Sequence, residues 1–237
     1  MPPKARITKD MILHTVLDIT RETGFGTVNA RSIAARLQCS TRPIFTCYEN
    51  MDELKAGFLE YAYGYYEQYV TGYGNSVKVS PYLLLPLSYI EFAREETHLF
   101  KLLFINDMDL DMSEAKDFYK EAGNEKKAAL FSKAIGVGPE RAKVIYLDLF
   151  LYTYGMAVLT ATKKLALSRT SAETMLTNFL SAFIKPENPD WNPSICRRQP
   201  TAPNADIRHH PSAYMHRVTL FIKGAAHDNR PIHNRFL

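Results

Sequence analysis

The stretch CSTRPIFTCYENMDEL, Cys39 to Leu54, decides the predicted fold. Pro43 fits the first turn of a helix, where its missing N–H costs nothing, so we expect a short helix to begin beside it. Asn50, followed three residues later by Glu53, is the signature of a second helix start. The stretch therefore predicts one short helix and the beginning of another, separated by a tight connection.

The side chains of the short helix fall into an inner and an outer group. Ser40 or Thr41 can provide its N-cap. The apolar residues are expected to fasten the helix to the core; they are Ile44, Phe45 and Tyr48. The polar and basic residues are expected to face outward; they are Thr41, Arg42 and Thr46.

Two amphipathic segments precede this helix. The first, residues 8 to 22, has apolar residues at helical spacing, an N-cap at Thr8 and a stop at Gly24. The second begins near Asn29 and carries a short apolar side in ARSIAARL. Only the turn QCS separates the second segment from the short helix, so the pair predicts a helix-turn-helix whose second helix faces outward with polar groups.

Downstream, the pattern stays helical to residue 184. A helix of about five turns begins at Met51, the loop TGYGNSVKVSP follows, and apolar periodicity then resumes. An interruption is expected near Gly155 and an N-cap at Ser171. The periodic segments are residues 82–92, 97–105, 112–135, 140–167 and 171–184. Because no β-type alternation and no internal repeat occur, the predicted class is all-α.

Composition is that of an ordinary globular protein. The 237 residues are 46% hydrophobic and 23% charged, enough for one sizeable core or for a small domain with a larger one. The net charge of +4 arises at the end of the chain, because residues 1–184 hold 21 Lys and Arg against 21 Asp and Glu. Any nucleic-acid contact must therefore come from a local face.

The cysteines favour a reducing compartment. Cys39, Cys47 and Cys196 are odd in number and are not at metal-ligand spacing, so we expect free thiols, no metal site and no cofactor. The N-terminus has no apolar stretch of signal type, and no run of about 18 apolar residues occurs. These features favour a cytoplasmic protein without membrane association.

The end of the chain differs in composition from the rest. It is rich in Pro, Asn and charge, and it holds the single tryptophan, Trp191. Such a segment is typical of low order, and the abrupt shift also fits sequence foreign to the native domain. The predicted division is a helix-turn-helix domain, a helical ligand-binding and dimerisation domain, and a tail of low order: residues 1–49, 50–185 and 186–237.

The order ITKDMILHTVLDITRETGFGTVNARSIAARLQCSTRPIFTCYENMDELKAGF, Ile7 to Phe58, resembles the DNA-binding domain of the TetR/AcrR transcriptional regulators. A helix, a glycine turn, the SIAARL helix, a second turn, an aromatic pair three residues apart, a capping residue and Leu54 follow in the family's order. The resemblance implies a homodimer whose recognition helices enter successive major grooves of a pseudo-palindromic operator. It also implies a small-molecule effector that releases a repressor.

The resemblance assigns DNA contacts by position. Base or phosphate contacts fall to the short helix and its turn, and further phosphate contacts to the starts of the neighbouring helices. The implied residues are Asn29, Arg31, Ser40, Thr41, Arg42, Phe45, Thr46, Tyr48 and Lys55. Arg42 is the best base-reading candidate, because a guanidinium can pair with guanine O6 and N7. Contact with phosphate or water alone is the alternative.

Two positions depart from the family pattern. Phe45 lacks the hydroxyl that a tyrosine would offer to a phosphate, and Met51 replaces a lysine that is common there. Each change removes about one backbone contact, which lowers non-specific affinity more than specificity.

The central helices carry aromatic residues that could line a pocket for an apolar or aromatic effector, although such residues are more often plain core. The pocket candidates are Tyr89, Phe92, Phe100, Phe104, Phe118, Tyr146 and Phe150. The last two helices resemble the pair that forms the family's four-helix dimer interface, unless the same face packs within one subunit. The interface candidates are Leu151, Gly155, Val158, Leu176, Phe179, Leu180 and Phe183.

Signatures of catalysis are missing from the sequence. It has no nucleophile elbow, phosphate loop or paired metal ligands. The alternating acids Asp107, Asp109 and Asp111 lack the central glycine of a calcium loop, which favours a solvated loop. We expect a DNA-binding regulator and not an enzyme. The alternative is a helical ligand-binding or interaction protein that has lost operator binding, which Phe45, Met51 and the neutral charge balance favour.

Overall fold

The structure, a computed structural model, describes residues 6–108, 110, 112–121 and 123–193. Within these ranges every regular element is helical, so the all-α prediction is confirmed. The α-helices are α1 Lys9–Thr23, α2 Ala30–Arg36, α3 Arg42–Cys47, α4 Met51–Ser76, α5 Pro81–Glu95, α6 Thr97–Lys101, α7 Asn124–Ile135, α8 Pro139–Ala161 and α9 Arg169–Ile184. A π-helix, Leu102–Asn106, continues α6, and 3₁₀ turns occupy Phe25–Thr27 and Ala115–Lys120. Asp109, Asp111 and Cys196 lie outside the described residues.

Two helix starts use the side chains that the sequence predicts. The Thr8 hydroxyl accepts the N–H of Met11 at 3.2 Å, and the Asn50 side chain accepts the N–H groups of Asp52 at 3.0 Å and Glu53 at 2.8 Å. These N–H groups have no partner within their own helices, so the caps stabilise both starts.

Helix α4 is longer than expected. The loop predicted after Val70 is helical to Ser76, with Gly72 and Gly74 inside the helix. Each glycine costs about 1 kcal/mol relative to alanine in a helix. Packing outweighs this cost, because Tyr73 stacks on a tyrosine of the previous turn with ring centroids 6.5 Å apart.

The segment predicted as one helix over residues 112–135 is divided. A 3₁₀ turn ends at Lys120, and α7 begins only at Asn124. Gly123 precedes α7 with φ of +93°, a backbone conformation that ends regular helix and that glycine tolerates best.

Helix α8 ends at Ala161, six residues before the predicted boundary, and it is not interrupted at Gly155. The backbone reverses at Lys163, whose φ is +57°. Ser168 then caps α9 by accepting the N–H of Ser171 at 3.1 Å, a role that the sequence assigns to Ser171 itself.

One continuous core joins the two predicted domains. Helix α5 lies at its centre and packs against α4, α6, α7, α8 and α9, while α1 contacts α2, α3, α4 and α6. The N-terminal part of this core extends into the first turns of α4. Its fully buried side chains include Ile12, Val16, Ile33, Ile44, Leu54 and Phe58.

Helix α8 is long and apolar enough to cross a membrane when judged by length and composition alone, with a mean hydropathy of 1.5 over its most apolar window. Core helices of soluble proteins meet the same test. Helix α8 packs against α5, α7 and α9, and 44% of that window is buried in the fold.

Residues 186–193, which their composition assigns to the tail, pack on the helical domain. Trp191 is only 7% exposed, and its ring centroid lies 5.7 Å from that of Tyr82. The Asn188 amide donates to the carbonyl of Ile135 at 2.9 Å. The start of the predicted tail therefore belongs to the folded structure.

Candidate nucleic-acid interface

The connection between α2 and α3 is a tight turn. Gln38 adopts φ of +52°, and the N–H of Cys39 donates to the carbonyl of Ala34 at 3.0 Å, which closes the end of α2. Thr41 occupies the cap position of α3, but its side chain makes no capping hydrogen bond. Pro43 lies in the first turn of α3, as the sequence predicts.

Two side chains fix α3 on α1. Ile44 is fully buried and Tyr48 is 5% exposed. The ammonium group of Lys9 lies over the Tyr48 ring at 4.8 Å from its centroid, a cation–π contact. Tyr48 therefore anchors the helix, and little of the tyrosine side chain is exposed to contact DNA.

The outward side of α3 consists of Arg42, Phe45 and Thr46, which we call the α3 face. All three are exposed. The expectation that Phe45 fastens α3 to the core is wrong, because 48% of this residue is exposed. The Thr46 hydroxyl donates to the carbonyl of Arg42 at 3.0 Å.

The arginines of the N-terminal helices differ in whether they have an acidic partner. Arg31 and Arg42 are exposed and form no ion pair with any carboxylate in the described residues. Arg36 is bound to Glu22, and Arg21 to Glu96. Two free guanidinium groups are therefore available at the start of α2 and on α3.

Three further DNA-contact candidates differ in how exposed they are and in whether their side chains are already hydrogen-bonded. The Asn29 side chain accepts the N–H groups of Arg31 and Ser32, both at 3.0 Å, so its oxygen is occupied in capping α2. Ser40 is exposed in the turn, and Thr41 is half-buried.

Lys55 is bound within the chain. Its ammonium group donates to the Asp107 carboxylate at 2.7 Å, and both side chains are partly buried. Lys55 must break this pair to reach a phosphate. The pair joins the start of α4 to the acidic segment after the π-helix. Nothing in the sequence indicates this ion pair, because the two residues are far apart along the chain.

A second link between the N-terminal helices and the larger domain is centred on Glu96. This carboxylate accepts Nε of Arg21 at 2.8 Å, Nη2 of Arg21 at 2.7 Å and the hydroxyl of Tyr65 at 2.9 Å. The Glu96 side chain is only 8% exposed. No motif in the sequence indicates this network, because Arg21 lies on α1, Tyr65 on α4 and Glu96 at the junction of α5 and α6.

The seven pocket candidates form two clusters of ring contacts, which Tyr154 connects by stacking on Phe150 and donating to the Phe104 carbonyl at 3.0 Å. In the first, Tyr89, Phe92, Phe100 and Phe104 pack on one another, joined by Tyr66 of α4, which the sequence did not single out. The Tyr66 ring lies 4.9 Å from Phe92 and 5.0 Å from Phe104, centroid to centroid. In the second cluster Phe118 contacts Tyr146 at 6.1 Å and Phe150 at 4.8 Å.

Burial perturbs the tyrosines of both clusters. It raises the pKa of Tyr146 to about 12 and raises the pKa of Tyr66 and Tyr89 further, because the charged phenolate is poorly solvated there. The buried hydroxyl of Tyr89 has no hydrogen-bond partner among the described residues. An unpaired buried hydroxyl costs about 1–3 kcal/mol, so this group is available to donate a hydrogen bond to a ligand acceptor.

Two open clefts lie elsewhere on the described surface. One, of about 430 Å³, lies between α4, α5 and the start of α9, where the guanidinium of Arg169 covers the Tyr73 ring at 5.7 Å. The other, of about 540 Å³, adjoins it along the α8–α9 loop. None of the seven pocket candidates lines either cleft.

The interface candidates separate into buried and outward-facing residues. Leu176 and Leu180 are fully buried within the chain. The others are exposed or half-buried on the outer side of α8 and α9; they are Leu151, Gly155, Val158, Phe179 and Phe183. Leu151 is 49% exposed, and the Phe179 ring stacks on Tyr152 at 4.9 Å.

No protein-family model matches the chain, and no curated protein matches it at a significant level. The resemblance to the TetR/AcrR regulators therefore rests on the residues between Ile7 and Phe58.

Proposed function

We propose that the chain is a sequence-specific DNA-binding transcriptional regulator of the TetR/AcrR type. It acts as a homodimer and represses until a small apolar or aromatic effector releases it. In this proposal α2 and α3 form the helix-turn-helix, and α3 enters the major groove of the operator.

The α3 face carries the proposal. A short helix that follows a tight turn is anchored by two buried side chains, while its outward side holds an arginine that has no acidic partner in the part of the chain that the structure describes. Leaving Arg42 unpaired gains nothing for the fold, whereas a free guanidinium can pair with both acceptors of a guanine. Arg31 supplies a second free cation for a phosphate.

The outer side of α8 and α9 supports the homodimer. Large apolar side chains on a protein surface mark interaction sites when they are contiguous. Leu151 lies one turn from Gly155 on α8, and a Cβ at Gly155 would meet no atom within 4 Å of the same chain. Among the described residues, nothing in the subunit requires a glycine at this position, and a glycine permits close approach of a partner helix.

The effector site follows from the first aromatic cluster. Its rings are in mutual contact, so a ligand must displace one of them. The Tyr89 hydroxyl gives such a ligand a donor that is already desolvated. We expect an effector with an apolar or aromatic body and one hydrogen-bond acceptor.

Selection of bound sequences from a random duplex pool with the full chain tests DNA recognition. We expect a roughly palindromic site and an affinity that falls steeply with salt. Arg42→Ala should weaken binding to that site by about 1–3 kcal/mol and relax one base position. No enrichment at low salt, from a folded dimer, would instead favour the helical binding protein without an operator.

Light scattering on purified variants tests the dimer. Leu151→Glu should convert a dimer to monomers, because it buries a carboxylate in the proposed interface. Leu130 is 58% exposed on α7, so Leu130→Glu is the matched control and should leave the dimer intact. A monomeric parent protein would overturn the homodimer, and a dimer that survives Leu151→Glu would place the contact elsewhere.

A further inference from the structure

The α3 face carries a large exposed apolar side chain, which hydrogen bonding to DNA does not require. Phe45 is the most exposed large apolar residue in residues 6–50, although the residues that anchor α3 on either side of it, Ile44 and Tyr48, are buried. A ring held in water on a helix whose other apolar side chains are buried contributes little to folding. The exposed position of the Phe45 ring is explained if the ring contacts a binding partner.

Thr46 adds a second apolar group to this face. Because its hydroxyl donates to the Arg42 carbonyl at 3.0 Å, it does not donate to a base, and its methyl group remains for van der Waals contact. The α3 face therefore combines the guanidinium group of Arg42 with the ring of Phe45 and the methyl group of Thr46.

We propose that Phe45 is a specificity-determining residue that contacts the C5-methyl group of a thymine in the operator. This inference rests on the proposed function. A phenyl ring can neither donate to a phosphate nor pair with a base edge, and the thymine methyl is the apolar group that base pairs display in the major groove. The ring thus selects thymine beside the base that Arg42 reads.

Replacement of thymine by uracil in the selected site tests the contact, because uracil pairs identically and lacks only the methyl group. Thymines of the two half-sites are replaced one at a time, and affinity is measured for the full chain and for Phe45→Ala. At one position per half-site we expect uracil to weaken binding of the parent protein about fourfold, the effect of one buried methyl group. Phe45→Ala should bind the thymine site more weakly and should be insensitive to uracil at that position.

Arg42→Ala is the matched control. It should lower affinity overall while retaining the sensitivity to uracil at the Phe45 position. Circular dichroism of Phe45→Ala should match the parent protein, since the replaced ring is largely exposed.

The outcomes separate this inference from the function on which it rests. If a site is selected but Phe45→Ala abolishes the effect of uracil at none of its positions, the Phe45 contact is wrong and the regulator proposal stands. Failure to select any site would overturn the regulator, and the Phe45 contact with it.

Discussion

The bond between Arg21 and Glu96 should contribute more to stability than any exposed ion pair of the N-terminal helices. We consider Arg21→Met, which keeps the aliphatic stem and removes the guanidinium. Among the described residues, the Glu96 carboxylate then keeps only the Tyr65 hydroxyl as a side-chain partner, although its side chain is 8% exposed. The hydrogen bond to Glu96 raises the pKa of Arg21 further, so the arginine is charged at every practical pH.

The magnitude follows from burial. Removing one partner of a fully buried ion pair costs about 3–5 kcal/mol, because the other charge remains without compensation. The Arg21 side chain is 45% exposed, so water can reach the vacated position and recover part of this loss. We expect Arg21→Met to lower the free energy of unfolding by about 2 kcal/mol, which corresponds to about 4–8 °C in Tm for a chain of this size.

Urea unfolding followed by circular dichroism measures the loss. Arg36→Met is the matched control, because the pair of Arg36 with Glu22 has the same chemistry but side chains that are 46% and 53% exposed. It should cost much less than Arg21→Met, because solvent screens an exposed pair. In a Glu96→Gln background the effect of Arg21→Met should fall to less than half, since no uncompensated charge remains. Equal losses for Arg21→Met and Arg36→Met would refute the argument from burial.

Three further predictions concern stability and titration. A chain that ends at Lys185 should be about 3 kcal/mol less stable in urea than one that ends at Pro193, because it lacks the buried Trp191; equal midpoints would show that the segment contributes nothing. Gly136→Ala should cost more than about 1 kcal/mol, since φ is +67° and the new Cβ would lie 2.8 Å from Nδ2 of Asn188, whereas Gly64→Ala, in open space on α4, should be neutral or stabilising; calorimetry would reveal the opposite order if the reasoning fails. Burial raises the pKa of Tyr119 and Tyr146 to about 12 from an ordinary value near 10, so their contribution to stability is complete below about pH 10 and is lost as pH rises toward 12. Tyrosinate absorbance should therefore develop later in the native protein than in urea, and Tyr146→Phe should remove part of the late component; coincident titration curves would contradict it.

The local features of α3 follow largely from its sequence, and the misplacement of Phe45 has a simple reason. Ile44 and Tyr48 are four residues apart, so they lie on one side of a helix and both are buried. Phe45 follows Ile44 directly and is rotated by about 100°, so it could not share that side. The helical position of Phe45, and not its aromatic character, determines that its ring lies outside the core.

Long-range contacts were beyond prediction from the sequence. Nothing near Lys55 indicates that Asp107 will occupy its ammonium group, and nothing near Glu96 indicates Arg21. The glycines after Val70 predicted a loop, because local propensity was the only available signal and packing of α4 overrides it. The same limitation applies to Tyr66, whose neighbours lie on other helices.

The position of Trp191 has an optical consequence. It is the single tryptophan of the chain, against 14 tyrosines, and it lies in an apolar environment beside Tyr82. Its emission should be blue-shifted in the native state, and it should receive excitation energy from nearby tyrosines. Indole fluorescence therefore reports on one end of the helical bundle, while circular dichroism averages over all helices. If fluorescence changes at a lower urea concentration than circular dichroism, the C-terminal segment detaches before the bundle unfolds, and the protein reveals this without any added label.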